Sequence, residues 1–275
     1  MTIAPTVAVV TGAGRGMGRS CAEALVGTVD TVVLVDRDAE LLATTGRDLA
    51  ATGANVETFV ADVTDRPRLG ELATLVAGLG ALRSVAHAAG ISPTMADWRP
   101  IFAVDLVGSA LVLDVLAPLV IPGTAAVCFA SMAAQIVVSH GDSAVDAVLD
   151  DPLHPEFLER IAEAVGERIV DTAVAYGWAK RGVQRLSRRE AVRWGSRGGR
   201  VCSVSPGVID TPQGQQEAAA QPAIAALVEM SPVQRMGRPD EVTSVVTFLL
   251  SDQATFVTGT DILVDGGACA ALRLG

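Results

Sequence analysis

The sequence predicts an α/β fold with a doubly wound parallel sheet, and three observations carry that prediction. Short β-branched runs alternate along the chain with longer segments whose apolar residues recur at helical spacing. The runs lack the polar alternation of a half-exposed sheet, as strands covered on both faces require. The first run opens into a glycine-rich turn that leads directly into a helical pattern, which gathers backbone N–H groups beyond a strand end. With 275 residues, 50% of them hydrophobic and 19% charged, the chain can bury one large core.

In chain order, strands are expected at Val7–Val10, Thr31–Val35, Val56–Val60, Ser84–His87, Ala126–Phe129, Val201–Val204 and Asp261–Val264. Between them, Leu41, Leu42, Thr45 and Leu49, and then Leu72, Leu75, Val76 and Leu79, follow helical spacing. The longest apolar helix pattern, Leu111–Ile121, is interrupted by Asp114 and Pro118 and is too short to span a bilayer. No membrane partner is expected. No basic region precedes the N-terminal apolar stretch, which argues against a signal peptide. No internal repeat or low-complexity linker divides the chain, so residues 1–275 are expected to form a single domain.

A net charge of −10 repels a phosphate backbone, and the arginines are scattered apart from a cluster between Arg181 and Arg200 on one predicted helix. Nucleic acid is excluded as a partner. Cys21, Cys128, Cys202 and Cys269 are widely separated, and His87, His140 and His154 lie near none of them. That spacing predicts neither disulfides nor a metal site, and it suits a reducing cytoplasm. His87 is expected to be a satisfied core or sheet-end histidine, and His140 and His154 loop residues.

The turn after the first strand reads Thr11, Gly12, Ala13, Gly14, Arg15, Gly16, Met17, Gly18. Gly12, Gly16 and Gly18 permit a tight turn, close approach of the backbone to a pyrophosphate, and close packing of helix on strand. The second strand ends at Asp36, where a carboxylate accepts both ribose hydroxyls of an adenosine. The 2′-phosphate of NADP would meet the same carboxylate as a like charge, so the expected cofactor is NAD. Arg15 and Arg37 lie near enough in sequence to soften that preference.

Tyr176 is the only tyrosine and Lys180 the only lysine, beside twenty arginines. Four residues apart on a helix, they share a face. A free phenol titrates near 10, and an ammonium about 4 Å away is expected to lower that by roughly 3 units at an effective dielectric of about 20. The pair therefore reads as a general acid/base and the charge that tunes it.

Together these motifs resemble the short-chain dehydrogenase/reductase family, whose fold is of the Rossmann type. The resemblance covers nearly the whole chain. It comprises the turn from Thr11 to Gly18, Asp62 and Val63 after the third strand, Ala89 and Gly90 after the fourth, Ser131 after the fifth, Tyr176 with Lys180, and Pro206 and Gly207 after the sixth. Gly237, Arg238, Pro239, Glu241 and Val242, then Gly259 and Asp265 to Gly267, complete it. The resemblance implies that Asp62 and Val63 flank the adenine, and that Pro206, Gly207, Ile209 and Thr211 hold the nicotinamide end. It also implies that Ser131 orients the reacting oxygen and that Lys180 binds the nicotinamide ribose. Asp105 stands where relatives usually carry an Asn that bends a helix and offers its carbonyl to a proton relay. His87 with Ala88, and Cys202, replace other family asparagines.

Tyr176 follows Ser131 by 45 positions, so a segment of about 137–172 is inserted relative to the family pattern, and a non-sheet segment of that length is usually functional. Phe157, Ile161, Val165 and Ile169 predict one amphipathic helix there, with Glu156, Glu159, Glu163 and Glu167 on its solvated side. The insertion resembles that of bacterial 3α-hydroxysteroid dehydrogenase/carbonyl reductases. It either walls the substrate pocket or covers a helix face used for association, which favours a homodimer over a tetramer. The expected partner is a small apolar alcohol or ketone, from Met95, Trp98, Ile136, Val137 and Val138 and the loop between Thr211 and Met236. A 3-oxoacyl thioester reductase using NADPH, and a non-catalytic NAD-binding scaffold, are the competing readings.

Overall fold

In the computed structural model, which describes residues 4–138 and 140–274, seven strands form one sheet. They are β1 (Thr6–Thr11), β2 (Thr31–Asp36), β3 (Val56–Val60), β4 (Ala81–His87), β5 (Ala125–Phe129), β6 (Arg200–Pro206) and β7 (Asp261–Val264). Each pairing is parallel, in the order β3-β2-β1-β4-β5-β6-β7. All seven expected runs are strands. β4 and β6 extend beyond their apolar cores because neighbouring strands continue the ladder past Ser84 and Val204.

The side-chain period of two sorts each strand between two cores. Val7 and Val9 enter one while Ala8 and Val10 enter the other, and on β2 Val33 and Val35 are opposed to Val32 and Leu34. Full burial of such a side chain stabilises the fold by roughly 1.5–3 kcal/mol. α1 (Gly16–Leu25), α2 (Ala39–Ala50) and, from the far end of the chain, Pro239–Leu250 cover one face. α3 (Arg66–Leu79), α4 (Trp98–Phe102), α5 (Ser109–Leu116) and the helix Thr172–Gly195 cover the other. The result is a Rossmann-like single domain.

α4 and α5 belong to one helical run, Trp98–Leu119, longer than the sequence pattern suggested. Asp97 caps it by accepting from Arg99 N–H, and Ala103–Gly108 form a π-helical segment within it. By length and composition this run could cross a membrane, but 67% of its most apolar stretch is buried inside the domain. It is the central helix of the core.

The remaining elements are α6 (Ala133–Ile136), α7 (Ser143–Leu149), α8 (Phe157–Val165), α9 (Thr172–Gly195), α10 (Pro212–Ala220), α11 (Pro222–Met230), α12 (Pro239–Leu250) and α13 (Ala268–Leu274). The insertion, of which Ser139 lies outside the described residues, holds more than the single helix expected. α7 precedes α8, and Gly166, at φ 69°, turns the chain into a 3-10 segment, Gly166–Val170. The stripe nevertheless packs as its spacing implied. Phe157, Ile161, Val165 and Ile169 are all buried, and the four glutamates are exposed.

Phe157 meets the Phe102 ring edge-on at 6.0 Å. Asp146 on α7 pairs with Arg181 at 2.7 Å and Arg185 at 3.1 Å, and Asp150 pairs with Arg185 at 2.6 Å. Arg193 pairs with Asp114 at 2.9 Å. Much of the arginine cluster on α9 is thus matched by carboxylates of its own chain.

Candidate active site

The strand order reverses between β1 and β4: the chain winds outward through β2 and β3, then returns to lay β4 beside β1. A cleft lies over the carboxyl ends of the strands at this switch point, where such sheets bind ligands. Its walls include Gly12, Arg15, Gly16, Met17, Gly18, Asp36, Asp62, Val63, Ala89, Gly90, Ser131, Tyr176, Pro206, Gly207, Ile209 and Thr211. One cleft therefore gathers sixteen of the eighteen expected site residues. The other two, Lys180 and Asp105, are buried beneath its floor.

The dinucleotide end is shaped by main chain. Gly12 has φ 67°, and a Cβ there would stand 2.8 Å from Ala89 N. A Cβ on Gly18 would come within 2.0 Å of the Gly12 carbonyl oxygen. Only glycine lets α1 start so close to β1, and its first turn then faces the cleft. Asp36 Oδ2 accepts from Gly14 N–H at 2.9 Å, and its Oδ1 accepts from Asp38 N–H at 3.0 Å. These bonds fix the carboxylate while leaving each oxygen a lone pair for a ribose hydroxyl. Asp62 is held by Thr64 in the same way, at 2.8 Å from its N–H and 2.7 Å from its hydroxyl. The cradle fits a dinucleotide.

α9 delivers Tyr176 and Lys180, and Asp171 caps that helix by accepting from Ala173 and Val174 N–H. Tyr176 reaches the cleft wall. Lys180, 4% exposed, points its ammonium at the Phe129 carbonyl at 3.1 Å and at Asp105 Oδ2 at 3.5 Å. Its nitrogen lies 5.4 Å from the centre of the Tyr176 ring. Asp105 Oδ1 accepts from Ile91 N–H at 2.8 Å, whereas Oδ2 has no aligned donor and meets Lys180 as an ion pair. Gly90 makes room for the pair: a Cβ there would stand 3.0 Å from Asp105 Oδ1 and 3.2 Å from Lys180 Nζ.

Lys180 therefore shares its charge with Asp105. Burial, then the carboxylates of Asp105 and Glu217, push the phenol well above its ordinary value, while the neighbouring Ser131 hydroxyl pulls it down. The ammonium that was to acidify Tyr176 has a carboxylate partner of its own. Burial likewise raises Asp105, against the pull of Lys180 and the Ile91 N–H. Ser131 Oγ accepts from Ala133 N–H at 3.1 Å, which leaves its own proton free for the cleft.

A buried chain of side chains supports this floor, and no motif announced it. Ser109 Oγ donates to the Asp105 carbonyl at 2.6 Å and so must accept from His87 Nε2–H at 2.9 Å. His87 Nδ1 then accepts from the Thr11 hydroxyl at 2.8 Å, and Thr11 Oγ1 accepts from Ala89 N–H at 3.2 Å. The hydrogen bonds fix the tautomer. Burial, reinforced by the Lys180 charge, pushes His87 down to about 3. It is the satisfied sheet-end histidine expected from sequence, and it ties the π-helical segment to the turn after β1.

The alcohol end differs in part from expectation. Met95, Ile136 and Val137 line the cleft. Trp98 and Val138 do not, because both are buried in the core, with the Trp98 ring covered by Arg99 at 4.2 Å and edge-on to Phe102 at 6.5 Å. Val137, at the start of the insertion, reaches the cleft, but no residue between 143 and 170 does, so the insertion's helices α7 and α8 do not wall it. The far wall comes from α10 and α11 instead, through Gln213, Glu217, Gln221, Ile224 and Leu227. Glu217 escaped sequence reading because nothing about its spacing marks it. All four cysteines are buried free thiols, and no metal-ligating cluster exists among the described residues.

Comparison with known proteins adds the ancestry. A family model described as short chain dehydrogenase matches residues 6–142, and one described as Enoyl-(Acyl carrier protein) reductase matches residues 160–269. The Cis-4-hydroxycyclohexanecarboxylate dehydrogenase of Sinomonas cyclohexanicum is 33% identical, over 97% of this chain and 98% of that protein. The Cyclohexanol dehydrogenase of an Acinetobacter species is 31% identical, over 94% and 93%. This chain spans 43% of the length of a 31% identical uncharacterized short-chain type dehydrogenase/reductase of Sinorhizobium fredii. A solved short-chain type dehydrogenase/reductase from Mycobacterium ulcerans superposes with a TM-score of 0.77 at 25% identity, covering 98% of this chain and 92% of that one.

Proposed function

The chain belongs to the short-chain dehydrogenase/reductase family, and from that premise we propose that it is an NAD-dependent oxidoreductase interconverting a secondary alcohol and a ketone on a mainly apolar, alicyclic substrate. The observation that carries this reading is the position of Tyr176 on the cleft wall, beside Ser131 and above the buried Lys180–Asp105 pair. The bound nicotinamide would supply the chemistry of accepting a hydride from carbon or returning it.

The chain's own residues handle the proton. Tyr176 donates its proton at the substrate oxygen in the direction of reduction, and as the phenolate accepts one there in the direction of oxidation. Ser131 donates a hydrogen bond to the same oxygen and holds the reacting carbon in place. Lys180 and Asp105 act from behind, fixing the local field. Met95, Ile136 and Val137 exclude water from that end of the cleft. Preference for NAD is supported by the Asp36 carboxylate at the end of β2, which would repel a 2′-phosphate. The names of the Sinomonas and Acinetobacter relatives support an alicyclic alcohol.

The test is NADH formation across a panel of alicyclic secondary alcohols, with Tyr176→Phe as the control. The variant is expected to lose roughly 100- to 10,000-fold in kcat while still binding NADH. Equal rates would remove Tyr176 from the reaction. The competing reading is a 3-oxoacyl thioester reductase using NADPH. It would displace ours if NADPH bound more tightly than NADH and 3-oxoacyl thioesters outpaced the alcohols.

A further inference from the structure

We infer that Glu217 selects the substrate: its carboxylate takes a hydrogen bond from a second hydroxyl, so the cleft favours neutral diols over simple alcohols and rejects hydroxy acids. This rests on the oxidoreductase reading above and narrows its substrate class.

Gln213 and Glu217 lie on α10 and Gln221 directly follows it, at four-residue steps that place all three on one helical face. All three are half-buried and line the cleft, whereas Gln215 and Gln216 between them face solvent. The polar stripe is therefore turned inward. It shares the lining of that end with the apolar side chains of Met95, Ile136, Val137 and Ile224.

Charge is distributed unevenly along the cleft. Its lining cations, Arg15 and Arg37, and the carboxylates Asp36 and Asp62 belong to the turn after β1 and the ends of β2 and β3. Among the described residues lining the alcohol end, Glu217 is the charged one, and no cation balances it there. It shares the lining of this end with Tyr176, and its charge acts on Tyr176 and Asp105 through space. A substrate carboxylate entering this end would meet a like charge in a partly desolvated site.

A second hydroxyl suits the stripe better than an ammonium does. Gln213 Nε2 donates to Glu217 Oε1 at 3.3 Å, which orients the carboxylate. The amides of Gln213 and Gln221 supply donors as well as acceptors. A hydroxyl uses both, while an ammonium can only donate.

The experiment measures kcat and KM for cyclohexanol, a cyclohexanediol and a hydroxycyclohexanecarboxylate with the wild-type chain, Glu217→Gln and Glu217→Leu. Glu217 also acts on Tyr176, so any substitution moves absolute rates. The ratio of kcat/KM between two substrates cancels that effect. Wild type is expected to prefer the diol over cyclohexanol by roughly tenfold or more. Glu217→Leu should abolish the preference, chiefly through KM for the diol, and Glu217→Gln should keep part of it. The hydroxy acid should be poor with wild type and gain in both variants.

An unchanged diol-to-cyclohexanol ratio in Glu217→Leu, or a wild type that favours the hydroxy acid, overturns the inference and leaves the oxidoreductase reading intact. A wild type inert toward all three alcohols overturns both.

Discussion

The two ends of the cleft are built from different materials. At the dinucleotide end the shape is made by backbone: glycines at 12 and 18 where a Cβ would strike main-chain atoms, and a carboxylate pinned by N–H groups. At the alcohol end it is made by side chains from α6, α9, α10 and α11, held by ion pairs and amide contacts. Backbone constraints leave short, ordered motifs in a sequence. Side-chain walls do not, and they can be exchanged without disturbing the sheet. A family can thus keep one cofactor cradle while changing what it oxidises.

The most forceful way to break this division is to disturb the insertion's helices, residues 143–170, which line neither end. Phe157→Ala removes a ring that is 2% exposed and is expected to cost about 3–5 kcal/mol, read as a lower denaturation midpoint. KM for cofactor and alcohol should be unchanged. A shifted alcohol KM would return the insertion to the substrate wall. Gly18→Ala attacks the backbone end, where the new methyl would press on the Gly12 carbonyl at 2.0 Å. Overpacking of this kind costs about 1–3 kcal/mol, so NADH affinity measured by titration should fall by roughly 10- to 100-fold.

A smaller change sharpens the contrast within the cradle. Asp36→Asn keeps an acceptor for Gly14 N–H but discards the charge, and the ratio of NADPH to NADH dissociation constants should fall by roughly tenfold. An unmoved ratio would place cofactor choice elsewhere. The mildest effect is expected from Asp105→Asn. Asp105 is one of the groups that raise Tyr176, so removing its charge lets the phenol ionise more readily. The limb of the oxidation pH–rate profile that requires phenolate should move to lower pH, with Glu217 still acting in the original sense. An unmoved profile would show that Asp105 does not govern the phenol.

The sheet was legible because the central strands β1, β2 and β5 are buried on both faces and nearly all apolar, while the edge strands β3 and β7, which are partly exposed, still carry β-branched runs between helical segments. Their ends were less so, since Arg200, Ser205 and Pro206 join β6 through neighbours rather than through their own preference. The run Trp98–Leu119 was underestimated because polar Asp105 and Asp114 break its pattern, yet Asp105 finds Lys180 and Asp114 finds Arg193 across the fold. The same long-range pairing hid the direction in which Tyr176 is shifted. Position in sequence put Tyr176 beside an ammonium and Asp105 near that ammonium, and the folded chain shows the two as an ion pair. Glu217, on a segment without motif, could be found only once α10 had been laid against the cleft.

The single lysine of this chain is 4% exposed, its ammonium held between the Phe129 carbonyl and Asp105. Amine-acylating reagents therefore meet no side-chain target on the native surface. Trypsin has only arginines to cut there. Slow acylation of Lys180 would time the excursions in which α9 lifts from β5, turning a buried ion pair into a clock for local opening.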